Sequence, residues 1–197
     1  MIPPELFYQQ ITRLAALSPY DRYARLAKFH TELTMRYLSH IRSMTADDAA
    51  QVGQDGRTVG QLVAHIAEWE RYTIMAAAEM ITGSPWPQIM TLSGYLPLAG
   101  QIRSFDNVDE FNAYQTQVYA TRPWPEIKEL ALHTATALHS FFTQPTLLSP
   151  DTLQRTRNHE WRLPTGLKLT QPAGWYLWMV TLEHESVAHA ADLGWSL

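Results

Sequence analysis

Four long stretches of this chain repeat apolar residues at every third or fourth position, and none sustains the period-two alternation of a half-buried strand. Leu26, Phe29, Leu33, Tyr37 and Ile41 form one stripe, inside a helix predicted over about Tyr20 to Met44. A second stripe starts at Thr58, continues through Leu62, Ile66 and Trp69, and stops at Gly83, Pro85 and Pro87. Thr58-Val59-Gly60-Gln61 fits a capping box, in which the threonine oxygen and the glutamine side chain satisfy free amides of the first turn. Ile127, Leu130, Ala131, Thr134 and Leu138 mark a third helix, from about Pro125 to Phe142. The fourth begins near Pro172, a residue suited to a first helical position, and runs to about Asp192, with Gly194 ending it. Each stripe must bury itself against another, so the expected fold is all-α, a four-helix bundle.

Shorter helices and long loops fill the rest. Ser18-Pro19 breaks a helix over about Glu5 to Leu17, and Asp106 caps a modest one over about Val108 to Thr121. Thr45 to Arg57 is polar, carries Gly53 and Gly56, and reads as a loop. Ser84 to Phe105 and Ser149 to Gln171 show no period; loops of that length in a compact domain are often functional or hide a short helix. With 197 residues and no repeat, one domain over 1–197 is expected.

Composition narrows the function. The net charge is −4, which argues against nucleic acid as a partner, since a basic surface is needed to replace its counterions. There is no cysteine, so disulfides, thiolate nucleophiles and Cys-type zinc sites are excluded, and any thiol chemistry must use a thiol carried by a ligand. No apolar run is long enough to cross a bilayer, and the N-terminus shows no basic region followed by an apolar core; a cytoplasmic protein is the expectation.

The residues that can carry chemistry lie on two of the long helices. On the last, Trp178, Leu182, Glu185 and His189 follow at offsets of four, three and four, which places the carboxylate and imidazole on one face. On the second, Leu62, His65, Trp69 and Tyr72 put His65 beside the core-facing stripe. If the stripes face each other, His65, Glu185 and His189 converge on one ion. Two imidazoles and a carboxylate suit zinc, and also nickel, iron or manganese, and three protein ligands leave a position open for water or substrate. Spacing alone is weak support: eight histidines in this length make such pairs common, and Glu129 and His133 form another on the third helix. Glu68, one turn past His65, is a candidate to hydrogen-bond a ligand or serve as a base. His184 should project about 100° from Glu185 and so fall outside the ligand set. Asp192 reads as a helix-end surface acid, with a role as hydrogen-bond acceptor to a ligand as the alternative, and His159, Glu160 and Trp161 as a solvated loop, with cover of the bundle mouth as the alternative. Trp69, Tyr72, Trp175 and Trp178 read as core or pocket wall. His30, His40, His133 and His139 are assigned no role.

The segment from Thr58 to Glu70, reading TVGQLVAHIAEWE, resembles the second helix of the DinB/YfiT-like superfamily of metalloenzymes, where a histidine is the first metal ligand. Glu185-Ser186-Val187-Ala188-His189-Ala190-Ala191-Asp192-Leu193-Gly194 resembles its final-helix motif. The commoner form there is His-x-x-x-His; the Glu-x-x-x-His form followed by Asp-Leu-Gly is similar to the mycothiol-dependent maleylpyruvate isomerase branch. The resemblance implies a DinB/YfiT-type bundle, one divalent metal (zinc or nickel foremost), a small-molecule substrate and a low-molecular-weight thiol as cofactor. It also makes a homodimer plausible, though no interface is legible. The implied reaction is thiol-dependent transfer or isomerisation of a small electrophile. Metal-assisted hydrolysis, with Glu68 as base, and a non-catalytic metal-binding bundle are the alternatives.

Overall fold

The computed structural model describes residues 3–53, 56–97, 101–191 and 193, and proline and capping residues punctuate it as the sequence predicts. Helix α1 (Pro4–Ala15) gives way at Ser18, whose side chain caps α2 (Pro19–Ser43) by accepting from the Asp21 amide. The polar stretch after α2 is not all loop: Thr45 and Asp48 form a capping box that starts α3 (Ala46–Ala50). Helix α4 (Val59–Ile81) begins with the predicted box, Gln61 N to Thr58 Oγ1 and Thr58 N to Gln61 Oε1. Then come α5 (Val108–Tyr119) and α6 (Trp124–Thr143).

The segment predicted as irregular over 149–171 holds a short helix α7 (Pro150–Gln154) and a hairpin, β1 (Asn158–Arg162) antiparallel to β2 (Lys168–Pro172). Five-residue strands with one buried residue each, Trp161 in β1 and Pro172 in β2, are too short to show a period in sequence. The hairpin turns at Gly166, whose φ of +84° is open to glycine at little cost. Helix α8 (Ala173–Glu183) follows, and its hydrogen bonding widens into a single π turn over His184–Ala188. At its start Gly174 lets α8 sit against α7, since a Cβ there would lie 2.9 Å from Leu153 Cδ2 and 3.0 Å from Leu153 Cα. Among the described residues, no helix is long and apolar enough to cross a membrane.

The four predicted stripes meet. Helix α4 packs on α6 and α8, and α2 packs on α6 and reaches α8 through Tyr23 and His30 against Trp178. Helix α4 is central and buried on most of its circumference, but its burial is interrupted chemically. Leu62, Val63, Ala64, Ile66 and Ala67 belong to one apolar cluster and Tyr72, Ala76, Ala77 and Met80 to another. Between them the buried side chains are polar: His65, Glu68, Glu70 and Thr73. A polar layer inside a bundle costs desolvation and must be hydrogen-bonded or ligated.

Buried His30 is held as a neutral acceptor, with Trp178 Nε1–H donating to its Nδ1 at 3.2 Å, and burial lowers its pKa from 6.5 to about 3. The unfolded chain therefore takes up a proton below pH 6.5 that the folded chain refuses. Stability is fully present above that pH and is lost progressively as the pH falls toward the folded value. Between pH 7 and pH 5 the wild type should lose about 2 kcal/mol of unfolding free energy that a His30→Gln variant does not lose. Denaturant melts of both proteins across that range check this; parallel curves would sink it.

Candidate metal centre and its cavity

His65 sits on the inner face of α4, 6% exposed, with its Nδ1 2.7 Å from Gln115 Oε1 on α5. A carboxamide oxygen only accepts, so the ring proton lies on Nδ1 and a lone pair on Nε2. That Nε2 is 3.2 Å from His184 Nε2, which is in turn 3.1 Å from His189 Nε2. The last two residues stand five apart across the π turn. In an α-helix i and i+4 share a face; with the turn widened, i and i+5 do. Ser186 Oγ donates to the Leu182 carbonyl, a competing bond of the kind that bends a helix at such a point.

Three imidazole nitrogens facing one another need a positive centre. With His65 Nε2 unprotonated, one N–H can serve only one of the two close N···N approaches, whereas a bound cation would satisfy both. Burial, followed by the neighbouring His189, His65 and Arg57, holds His184 well below its ordinary pKa, so a second proton is disfavoured. Three nitrogens on one tetrahedral ion with bonds of ~2.0–2.1 Å stand roughly 3.3–3.4 Å apart, close to the two separations here. The donor set fits zinc, nickel or iron, and is too rich in nitrogen for magnesium or calcium.

The three imidazoles form one end of a cavity of about 700 Å³. Trp69, Tyr72, Met90, Leu92, Tyr176 and Val180 give it apolar walls, and Arg57, Asn112, Thr116 and His159 add polar groups. Met90 and Leu92 come from the long loop after α4, whose 3-10 turn spans Gln88–Thr91, and His159 from β1. Thr181 Oγ1 donates to the Leu177 carbonyl, so Thr73 Oγ1 donates to Thr181 at 3.0 Å, and the two hydroxyls offer the cavity lone pairs.

The family model for the DinB superfamily matches residues 30–186, about four fifths of the chain, including His65, His184 and Glu185. The chain belongs to the DinB superfamily. Among solved structures it is similar to a mycothiol-dependent maleylpyruvate isomerase, with a TM-score of 0.58 and 20% identity over 92% of this chain and 62% of that one. A histidine-to-alanine mutant under the same name gives 0.58 and 18% over 93% and 63%. The chain thus spans less than two thirds of the length of these neighbours, and at such identity the likeness shows the fold. No curated protein matches the chain.

In this DinB-superfamily chain the structure brings His65 and His189 together with His184 beside them, and Glu185 lies outside that cluster. The π turn is the reason: it rotates His184 onto the His189 face and carries Glu185 past it. Glu185 is buried against Glu70 instead, a carboxyl pair in which burial raises Glu185 to about 8 and Glu70 well above its usual range. Thr134 donates to Glu70 Oε2. Glu68 does not line the cavity: it accepts from Tyr119 and pairs with Arg71 at 3.1 Å, and the partner of His65 is Gln115. Gln115 was invisible to spacing arguments because it lies 50 residues away on a helix with no apparent role.

The remaining residues divide clearly. Trp69 and Tyr72 wall the cavity, whereas Trp175 and Trp178 are fully buried core. Glu129 and His133, with the same spacing as Glu185 and His189, are exposed on α6. His40 Nε2 bonds the Leu193 carbonyl at 3.0 Å, and His139 Nε2 lies 2.9 Å from Thr31 Oγ1. Asp192 and Gly194 lie outside the described residues.

Proposed function

We propose that this protein is a metal-dependent enzyme that joins a low-molecular-weight thiol to a small electrophile, as a transferase or isomerase. The observation that carries the reading is the convergence of three imidazole nitrogens on the wall of a cavity large enough for a small molecule. His65, His184 and His189 would hold a divalent ion, zinc or nickel foremost. Such an ion lowers the pKa of a thiol or water in contact with it and polarises a carbonyl. The chain's own residues do the rest. The aromatic and aliphatic walls exclude water and hold the carbon skeleton of the substrate. Thr73 and Thr181 offer hydrogen-bond acceptors, and Asn112, whose oxygen already accepts from Trp69, offers N–H donors, to orient it. Because the chain has no cysteine, the nucleophilic sulfur must arrive with a ligand. Mycothiol is the first thiol to try, because both solved neighbours carry it in their names.

The two alternatives lose support. Hydrolysis with Glu68 as base is disfavoured because Glu68 is engaged by Arg71 and Tyr119 away from the cavity, and Glu70, the carboxyl that does line it, is paired with buried Glu185. A closed structural ion would not border an open cavity of this size. The test has two arms. Elemental analysis of the wild type beside His65→Ala should find a divalent metal in the first and little in the second; equal content would overturn the site. Thiol consumption with a small activated electrophile should vanish on chelation and return with added zinc. Hydrolysis without thiol would instead restore the second reading.

A further inference from the structure

We infer that Gln115 is the positioning residue of the metal centre, fixing which nitrogen of His65 faces the other two imidazoles. The inference rests on the reading that His65, His184 and His189 hold a metal.

Helix α5 lies along α4 and meets it through a ladder of polar contacts. Trp69 Nε1 donates to Asn112 Oδ1 at 3.2 Å, His65 Nδ1 donates to Gln115 Oε1 at 2.7 Å, and the Tyr119 hydroxyl donates to Glu68. Residues 112, 115 and 119 follow at offsets of three and four, so one face of α5 supplies all three. The middle rung is the shortest of the two nitrogen-donor rungs, and Gln115 is 2% exposed. Without that acceptor the imidazole can place its proton on Nε2, where it points into the ligand set and blocks coordination. A partner that holds the other ring nitrogen of a ligating histidine is typically worth about 10–100-fold in metal affinity. The same helix also lines the cavity through Asn112, Ala113 and Thr116, so the element that touches a bound molecule is the one that orients His65.

The experiment uses the full-length protein with Gln115→Met, which keeps the length and loses the oxygen, and Gln115→Glu, which keeps an oxygen at the same place. Nitrogen-15 NMR of the metal-free proteins should show His65 as the Nδ1–H tautomer in the wild type and in Gln115→Glu, and a mixture or the reverse in Gln115→Met. Zinc affinity by chelator competition should fall about 10–100-fold in Gln115→Met and hold or rise in Gln115→Glu. Gln115→Asn, one methylene too short to reach, should match Gln115→Met and serves if that variant does not fold. Wild-type tautomer and affinity in Gln115→Met or Gln115→Asn would overturn the inference. A wild type that binds no zinc overturns the metal reading separately, and the tautomer measurement still decides whether Gln115 governs His65.

Discussion

Replacing His184 with alanine is expected to strip the protein of its metal, while Glu185→Gln leaves it loaded. The two residues are neighbours, and only the hydrogen bonding between 184 and 188 decides which of them stands with His189. With the π turn in place, His184 Nε2 lies between the nitrogens of His65 and His189, so its loss leaves two ligands of three. The drop in affinity should exceed the roughly 10–100-fold that removal of an outer hydrogen-bond partner costs. Glu185 faces Glu70, and a glutamine there can still hydrogen-bond the Glu70 carboxyl. Elemental analysis of both variants, purified alongside the wild type and followed by chelator competition, reads the difference. The opposite order, with metal lost on Glu185→Gln and kept on His184→Ala, would return the third ligand to Glu185. It would also mean that the metal-loaded helix runs as a regular α-helix through these residues.

The second large effect concerns stability. Arg22→Met should lower unfolding free energy by about 3 kcal/mol or more, because one guanidinium closes the C-terminal end of α1. Its Nη2 donates to the carbonyls of Ala15 at 2.6 Å and Leu17 at 3.1 Å, and Nε donates to that of Leu14 at 3.2 Å. Nη1 reaches Gln171 Oε1 at 2.7 Å, tying the hairpin to the helices, and the guanidinium lies 5.0 Å from the Trp175 ring centroid. Leu14 also accepts from the Leu17 amide at 3.1 Å, so the Ala15 and Leu17 carbonyls depend most on the guanidinium, and Arg22 itself is only 6% exposed. Methionine fills the space and supplies no donor, so the Ala15 and Leu17 carbonyls would lose the donors that Arg22 gives them. In a chain of this length the loss corresponds to a fall in melting temperature of roughly 6–12 °C. Lysine should recover only part of it, since one ammonium cannot reproduce the planar fork. Thermal unfolding followed by circular dichroism measures both variants. A melting temperature within 2 °C of the wild type for Arg22→Met, about what 1 kcal/mol is worth, would show that water or relaxation satisfies these carbonyls.

Much of the architecture was legible residue by residue. Leu26, Leu33, Tyr37 and Ile41 are buried as their spacing required, and the Thr58–Gln61 box stands where it was read. His65 was placed on the inner face of its helix, and His189 beside it. The exposed pair Glu129 and His133 shows how little an i, i+4 spacing means without a facing partner. The hairpin and α3 went unread because their stabilising contacts are few and local, below the length at which a period can be seen.

By itself, then, the sequence determined the long helices and their buried faces, because helical periodicity and capping are local and act within a few residues. Tertiary structure alone decided that His184 rather than Glu185 stands with His65 and His189, and that Gln115 meets His65. A helix advances about 100° per residue, so a single widened turn exchanges His184 for Glu185 without changing a letter of the sequence. Gln115 meets His65 only because two helices distant in the chain lie side by side, and no spacing within either of them records that contact.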